Sequence, residues 1–223
     1  MISTFNNKTV LYLDFESNMK GRTFLAGFDI GDGYTTWITD EALVGWADAK
    51  QMEFAAFEDV LHLVNEADYV IAYSDAEFEK LNTLAEELKI GIKSKVQYLN
   101  AKKVAVAWAK KKKLAEYESL TELGITKPKI ERPKRNSLIS MIRLVGLYEW
   151  QRYGHGLVMK RLRQVETGLK VNCGVFAKLT PHQKKQASKV ITHNTIDIEA
   201  MKLLTETALN DMPQLVSKFA KKF

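Results

Sequence analysis

Residues 10–16 read VLYLDFE, the first strand-like run of the chain. It starts with apolar residues that favour β-strands and ends with two acids, so it predicts a strand whose end carries carboxylates. Because side chains alternate along a strand, Asp14 and Glu16 lie on one face and the apolar residues between them on the other. Neighbouring carboxylates repel each other and resist burial unless a cation neutralises them. The alternative is a strand that has reached the surface, with Glu16 exposed.

Strands and helices alternate outward from this stretch. The turn signal Gly31-Asp32-Gly33 indicates a hairpin between two strand-like runs. Strands are predicted at Val10–Phe15, Thr23–Ile30, Tyr34–Thr39, Tyr69–Tyr73 and Val96–Leu99. Helices are predicted at 50–65, Asp75–Leu88, Ala101–Leu123, Ser137–Val145 and Leu157–Leu169, then from Thr180, and, after a break near His193, from Asn194 to about Asn210. This order predicts an α/β fold with a mixed β-sheet flanked by helices and a helix-rich C-terminal half.

The composition is that of a globular chain, with 223 residues of which 46% are hydrophobic and 27% charged. We expect a single domain over residues 1–223. The only cysteine, Cys173, excludes an intramolecular disulfide and a multi-cysteine zinc or iron–sulfur site. No apolar run approaches the roughly 18–20 residues that cross a bilayer, and acids interrupt the apolar N-terminal run. A cytoplasmic location without membrane contact is the expectation.

Positive charge is concentrated in one segment. The whole chain has a formal net charge of +6, but residues 102–135 hold eleven Lys and Arg against four acids, so the remainder is close to neutral. A basic stripe on a near-neutral body is typical of proteins with a polyanionic partner. The alternative is a solvated helix face followed by a basic loop over Lys127–Asn136.

Two further segments carry acids. Asp197 lies in the first turn of the helix predicted from Asn194, and His193 precedes it by four residues, where it could take a proton from a water. The alternative is ordinary capping by Asn194 and Asp197, with His193 partly exposed.

The other segment follows the predicted strand Tyr69–Tyr73. There Asp75 is placed to cap a helix, Glu77 shares a face with Leu81 and should point inward, and Glu79 should face water. An inward glutamate among leucines needs a partner, which a metal would supply.

Together, these segments resemble the three motifs of the DEDD exonucleases, the proofreading-type group within the ribonuclease H-like fold. The segments are Leu11-Tyr-Leu-Asp-Phe-Glu16, Val70-Ile-Ala-Tyr73 with its acidic helix start, and Thr192-His-Asn-Thr-Ile-Asp-Ile-Glu-Ala-Met201. The helix at Ser137-Leu138 is similar to one that lies between the second and third motifs of the group. The resemblance covers roughly residues 9–209 and is closest to the branch of predicted ribonuclease H-like exonucleases.

The resemblance implies a divalent-metal-dependent nuclease, a 3′–5′ exonuclease on single-stranded DNA or RNA ends. Asp14, Glu16, a motif-two acid and Asp197 would hold two Mg²⁺ or Mn²⁺ ions, and His193 would orient or deprotonate the water. For the motif-two acid, helical facing selects Glu77, whereas alignment on Tyr73 and Phe78 selects Glu79. We select Glu77.

Nucleic-acid contacts are expected mainly from the basic segment, in which Trp108 is the best candidate for stacking on a base. The predicted contacts are Tyr73, Trp108, Lys110, Lys111, Lys112, Lys113, Arg132, Lys134 and Arg135. The alternative is a catalytically inactive ribonuclease H-like domain that binds nucleic acid or a protein partner, because Gln97 and Asn100 stand where relatives commonly have an acid.

Overall fold

The structure, a computed structural model, describes residues 5–18, 21–120, 136–147 and 157–223. Its strands are β1 (Val10–Ser17), β2 (Thr23–Asp29), β3 (Tyr34–Ile38), β4 (Glu53–Phe54), β5 (Tyr69–Ala72), β6 (Gln97–Asn100) and β7 (Ala220–Lys222). Its helices are α1 (Val44–Lys50), α2 (Phe57–Glu66), α3 (Asp75–Leu88), α4 (Ala101–Lys112), α5 (Leu114–Ser119), α6 (Leu138–Met141), α7 (Val158–Val171), α8 (Pro181–Asp211) and α9 (Leu215–Phe219). Short 3₁₀ turns occupy Glu41–Leu43, Ile142–Val145 and Phe176–Lys178.

The strands form one mixed seven-stranded sheet in the order β4-β3-β2-β1-β5-β6-β7. β1, β5 and β6 run parallel, while β2 is antiparallel to β1 and β7 is antiparallel to β6. The predicted hairpin joins β2 to β3, and its Gly31 and Gly33 have φ of +113° and +107°, a region that residues with a Cβ rarely adopt. The predicted α/β class and mixed sheet are therefore confirmed.

Alternation along β1 separates two cores. Leu11 and Leu13 are fully buried on the face covered by α2 and α3. Tyr12 packs on the opposite face with residues of α4 and α8. Because Asp14 and Glu16 follow Tyr12 at the two-residue period, they lie on the face that α8 covers.

A third core lies against the N-terminal half of α8. Leu162 and Val165 of α7 pack there with Val190 of α8 and Trp46 of α1. The C-terminal half of α8 contributes Ile198 to the core around Tyr12. α8 therefore joins two cores, with the residues between them facing the acidic end of β1.

Several boundaries differ from the sequence predictions. The helix expected over 50–65 begins at Phe57, because α1 and the short β4 occupy part of that region. With seven residues, α1 is too short for a helical period to be visible in the sequence. The helix expected over Ala101–Leu123 is interrupted at Lys113, whose φ of −137° and ψ of 38° are not helical. Ser74, not Asp75, caps α3, since its Oγ accepts a hydrogen bond from the Ala76 amide at 3.2 Å.

The break predicted near His193 is wrong. α8 is continuous over 31 residues and starts at the predicted capping box of Thr180 and Gln183. Asn194, which we expected to cap a new helix, is fully buried inside α8 and directs its amide to the sheet. An asparagine amide can cap a helix or hydrogen-bond across to another element, and local sequence does not distinguish the two.

The basic loop predicted over Lys127–Asn136 lies outside the described residues, apart from Asn136 itself. Within the described ranges, no helix combines the length and the apolarity that crossing a membrane requires.

Candidate metal centre

Three of the predicted site residues meet between α8 and the end of β1. One ligand atom each from Glu16, His193 and Asp197 lies within 4.8 Å of the other two. His193 and Asp197 are one helical turn apart, which places His193 Nε2 3.3 Å from Asp197 Oδ2. Glu16 reaches the same point from the end of β1. The fold therefore brings together groups from opposite ends of the chain.

Asp14 lies beside these three residues and is oriented by α8. Asn194 Nδ2 donates to Asp14 Oδ2 at 2.6 Å, and the Tyr34 hydroxyl donates to Asn194 Oδ1 at 2.8 Å. Thr36 in turn donates to the Tyr34 hydroxyl. A chain of hydrogen bonds thus runs from β3 through α8 to the carboxylate on β1 and fixes its position.

Gly27 makes room for this chain of hydrogen bonds. It is the register partner of Asp14 on one side and of Thr36 on the other. A Cβ on Gly27 would lie 1.6 Å from Asn194 Oδ1, so a side chain there would displace the amide. Asn194, Tyr34 and Gly27 were not predicted from the sequence as site residues. The available signal was the glycine, because a glycine inside a strand often indicates the close approach of another group.

Glu77 extends the acidic cluster from the first turn of α3. Ser74 Oγ donates to Glu77 Oε2 at 2.8 Å. Burial raises the pKa of Glu77, and its charge adds to the rise in the pKa of Asp14 and of Glu16. Among the described residues Glu77 is not part of the 4.8 Å group, so it acts on the other acids from a greater distance.

The other two motif-two candidates are differently placed. Asp75 forms ion pairs with Lys103 at 2.8 Å and Lys221 at 3.0 Å. Burial raises the pKa of Asp75, but the two ammonium groups outweigh burial and lower it to about 2. Glu79 is exposed. Of the three acids, Glu77 is the one whose charge acts on both Asp14 and Glu16.

Burial is the main cause of raised pKa values in the cluster. It raises the pKa of Glu16 to about 8, with repulsion from Asp197 adding to the rise, and it raises the pKa of Asp197 to about 7. The pKa of Asp14 is raised well above its ordinary value, by burial first and then by Glu16 and Asp197. Asp197 nevertheless keeps 33% of its side chain exposed, and His193 keeps 14%. The cluster is therefore partly open to solvent.

The donor set fits a hard divalent cation. Within the described ranges, no lysine or arginine forms an ion pair with Asp14, Glu16 or Glu77. Carboxylate oxygens are the ligands that Mg²⁺ and Mn²⁺ prefer. Carboxyls whose pKa is raised by burial and by one another release their protons when a cation takes the protons' place. The chemistry of the donors and their mutual repulsion both favour a metal.

The two aromatic residues predicted to contact nucleic acid are both engaged within the protein. Trp108 is 1% exposed and its Nε1 donates to Asp211 at 2.7 Å, so the stacking role predicted for it does not fit this position. Its helix turns the ring into the core, which the neighbouring lysines in the sequence did not indicate. Tyr73 is half-buried, and its hydroxyl donates to the Asn136 carbonyl at 2.9 Å.

The predicted basic contacts divide into two groups. Lys110, Lys111 and Lys112 are exposed at the end of α4. Lys113 is half-buried and forms an ion pair with Glu116 at 3.5 Å. The remaining three, Arg132, Lys134 and Arg135, lie outside the described residues.

Comparison with known proteins does not assign the chain to a family. No protein-family model matches it, and no curated protein matches it. The geometry and chemistry of the acidic cluster are therefore the basis for proposing a function.

Proposed function

We propose that the protein is a divalent-metal-dependent nuclease that hydrolyses phosphodiester bonds. The observation that carries this proposal is the convergence of Glu16, His193 and Asp197 within 4.8 Å, beside Asp14. Titratable groups with strongly raised pKa values that meet at one partly exposed position are typical of functional sites. A purely structural role does not account for them, because repelling carboxylates weaken the folded state at neutral pH.

We also propose that the domain is ribonuclease H-like. The mixed sheet with helices on both faces supports this assignment. So does the position of the three motifs, since the first ends β1, the second follows the parallel strand β5, and the third lies on α8 above them. All three segments therefore reach the same end of the sheet.

Asp14, Glu16, Glu77 and Asp197 would hold two Mg²⁺ or Mn²⁺ ions. When bound, such ions supply Lewis-acid activation of a water and charge stabilisation at the leaving oxygen of a phosphodiester. The protein contributes the positions of the carboxylates. β1 carries Asp14 and Glu16 on one face, and Asn194 holds the Asp14 carboxylate by a 2.6 Å hydrogen bond.

His193 is placed to manage the proton of the attacking water. Its Nε2 lies 3.3 Å from Asp197 Oδ2, and its side chain is partly exposed to solvent. A neutral imidazole accepts a proton from a water at its unprotonated ring nitrogen, and the resulting cation is stabilised by the adjacent Asp197 carboxylate. His193 therefore has the chemistry of a general base at this position.

The proposed substrate is a single-stranded DNA or RNA end that is degraded in the 3′–5′ direction. The resemblance of the three motifs to the DEDD exonucleases supports the polarity. Exposed lysines at the end of α4 support a polyanionic substrate.

End-labelled single-stranded DNA and RNA, incubated with the protein and Mg²⁺, Mn²⁺ or EDTA, test the proposal. We expect progressive shortening from the 3′ end that requires the metal and that Asp14→Asn reduces by at least about 100-fold, because the substitution removes a metal ligand. Asp48→Asn, a matched substitution at an exposed position of α1, should retain full activity.

Two results would overturn the nuclease assignment. Strands that are bound but stay intact under all metal conditions indicate the inactive binding domain. Cleavage that Asp14→Asn leaves unchanged indicates a contaminating nuclease. Binding of Mn²⁺ is checked separately by thermal melting, where Mn²⁺ should raise the midpoint of the wild type and not that of Asp14→Asn.

A further inference from the structure

A groove lies next to Glu77 of the acidic cluster, between α4 and α9. Its volume is about 680 Å³, and its walls come from the first turn of α3, the outer face of α4 and the Lys218-Phe219 end of α9. Ser74 lines this groove and also donates to Glu77. The groove therefore adjoins Glu77, one of the proposed metal ligands.

The α4 wall of the groove has a regular pattern. Lys102 and Lys103 form a pair at one end, Lys110 and Lys111 form a pair at the other, and half-buried Val106 and Ala107 lie between them. Residues four apart lie on the same side of a helix, so the two lysine pairs and the apolar pair between them form one stripe along α4. Lys103 and Lys111 are eight positions apart, which corresponds to about 12 Å along the helix axis.

The groove carries an excess of positive charge. Lys103 is paired with Asp75. Lys102, Lys110, Lys111 and Lys218 form no ion pair with any other described residue. Asp75, the acid that lines the groove, is already neutralised by two lysines. A ligand that occupies the groove would therefore have to supply the negative charge for these four lysines.

We infer that this groove binds the sugar-phosphate backbone of a single-stranded polynucleotide and leads its end to the metal centre. This inference rests on the proposed nuclease function and specifies its substrate as a strand several nucleotides long. One phosphate cannot contact two lysine pairs that are about 12 Å apart, so mononucleotides and dinucleotides use only part of the groove.

The middle of the groove favours a single strand over a duplex. Val106 and Ala107 form an apolar surface between the lysine pairs. The half-buried ring of Phe219 lines the same space. Unpaired bases can place their faces on apolar and aromatic side chains, whereas the bases of a duplex are stacked inside it. An acidic peptide would match the lysines and leave this apolar surface without a partner.

Binding measured in EDTA tests the groove independently of catalysis. Fluorescence anisotropy with a labelled DNA strand of about twelve nucleotides gives the affinity and its salt dependence. We expect Lys110→Glu with Lys111→Glu to weaken binding at least about 10-fold and to reduce the salt slope by about 1.4, which corresponds to two phosphate contacts of a single strand. Lys110→Gln with Lys111→Gln should give a smaller loss in the same direction.

The control carries the same charge change at the opposite end of β6. Lys93 and Lys95 are exposed and precede β6, whereas the groove lies at its C-terminal end beside Asn100. Lys93→Glu with Lys95→Glu should therefore retain most of the wild-type affinity. An equal loss in both double variants would overturn the groove, since it would indicate attraction by net charge alone. So would equal competition by a poly-glutamate peptide of matched charge.

The groove and the nuclease can fail separately. If wild-type protein binds the strand through the lysines but never cleaves it with Mg²⁺ or Mn²⁺, the nuclease proposal is wrong, and the groove remains as a binding site for single strands. Suppose instead that the wild type cleaves strands, and that Lys110→Glu with Lys111→Glu cleaves dinucleotides and long strands as the wild type does. The proposed role of the groove is then wrong. We expect the variant to lose far more activity on long strands than on dinucleotides.

Discussion

Asp14, Glu16 and Asp197 are held side by side by the elements that carry them, although their charges repel. Each has a pKa that burial raises, so the metal-free folded protein binds protons more tightly than the unfolded chain does. The folded state is therefore most stable, with respect to these groups, below their ordinary pKa of about 4. It loses stability as the pH rises through the folded pKa values of about 7 for Asp197 and about 8 for Glu16.

Glu16→Gln removes one of the repelling charges with little change in shape. In EDTA, we expect the melting temperature of the wild type to decrease as the pH rises from about 5 to about 8. The variant should show a smaller decline and should melt roughly 3–6 °C above the wild type at about pH 8. Thermal melting followed by circular dichroism measures both effects.

Glu79→Gln provides the matched control for this experiment, since Glu79 is exposed on α3. It should reproduce the wild-type pH profile. A lower midpoint for Glu16→Gln than for the wild type at about pH 8 would show that the Glu16 carboxylate stabilises the metal-free protein, contrary to the repulsion described above.

Gly27→Ala tests how closely Asn194 approaches the sheet. The new methyl group would occupy the place of Asn194 Oδ1, which accepts a hydrogen bond from Tyr34. We expect a loss of roughly 1–3 kcal/mol in the free energy of unfolding, typical of an overpacked core. Activity and the Mn²⁺-induced thermal shift should also fall, because Asn194 no longer orients Asp14.

Gly91→Ala is the matched control for Gly27→Ala. A methyl group on Gly91 would have no heavy atom within 4 Å, and the φ of Gly91 is ordinary, so its substitution should leave stability and metal binding nearly unchanged. Urea denaturation measures the stability of both variants. If Gly27→Ala is as stable as Gly91→Ala and still binds Mn²⁺, the described position of Asn194 is wrong.

Acids could be identified as candidates from the sequence, whereas their supporting residues could not. Alternation on a strand places Asp14 and Glu16 on one face, and helical facing directs Glu77 inward, because both arguments use only local periodicity. Asn194 and Tyr34 belong to the site through contacts between elements that are distant in the chain. No local period encodes such a contact.

Among the elements, α8 depends on its first turn. Thr180 Oγ1 accepts from the Gln183 amide at 3.2 Å, and the Gln183 side chain accepts from the Thr180 amide at 3.0 Å. Thr180→Ala removes half of this capping box and should lower the free energy of unfolding by about 1 kcal/mol. Urea denaturation monitored by circular dichroism measures the change.

Thr192→Ala is the control on the same helix. Thr192 is exposed in the interior of α8, where its hydroxyl bonds the Ser188 carbonyl at 3.0 Å. Alanine is a better helix former there, so we expect unchanged or slightly higher stability. If Thr192→Ala is the more damaging of the two substitutions, a helix boundary near residue 192 becomes the better description of α8.

Strong local signals predicted the elements, and weak ones misplaced their ends. The hairpin glycines and the Thr180 capping box each specify a backbone conformation, and both predictions agree with the structure. α1 was missed because seven residues contain barely two turns. α8 was divided in the prediction because Asn194 resembles a cap, although its side chain is used by the sheet.

At the scale of the whole molecule, β7 covers the outer edge of β6. Its Lys221 forms an ion pair with Asp75 at 3.0 Å and lies 3.4 Å from the centroid of the Phe78 ring. Phe223 stacks on Phe78 with centroids 5.0 Å apart. This contact between segments far apart in the sequence could not be predicted from local patterns.

Lys221→Ala and Lys222→Ala compare two neighbouring lysines of β7. Lys221→Ala loses the cation–π contact and the partly exposed ion pair, so we expect a loss of about 1 kcal/mol in the free energy of unfolding. Lys222 is exposed, and its substitution should change that free energy by less than about 0.5 kcal/mol. Urea denaturation of both variants measures the difference. Equal free energies of unfolding would show that the contacts of Lys221 do not stabilise the position of β7.

Because α8 belongs to two cores and carries His193 and Asp197 between them, an ion captured at those residues would clamp both halves of the fold at once. Ion binding and the stability of the folded state are then thermodynamically linked. A substitution that shortens a distant side chain, such as Leu162 on α7, should therefore lower the apparent affinity for the ion although it changes no ligand. Conversely, binding of the ion should stabilise packing far from the metal centre.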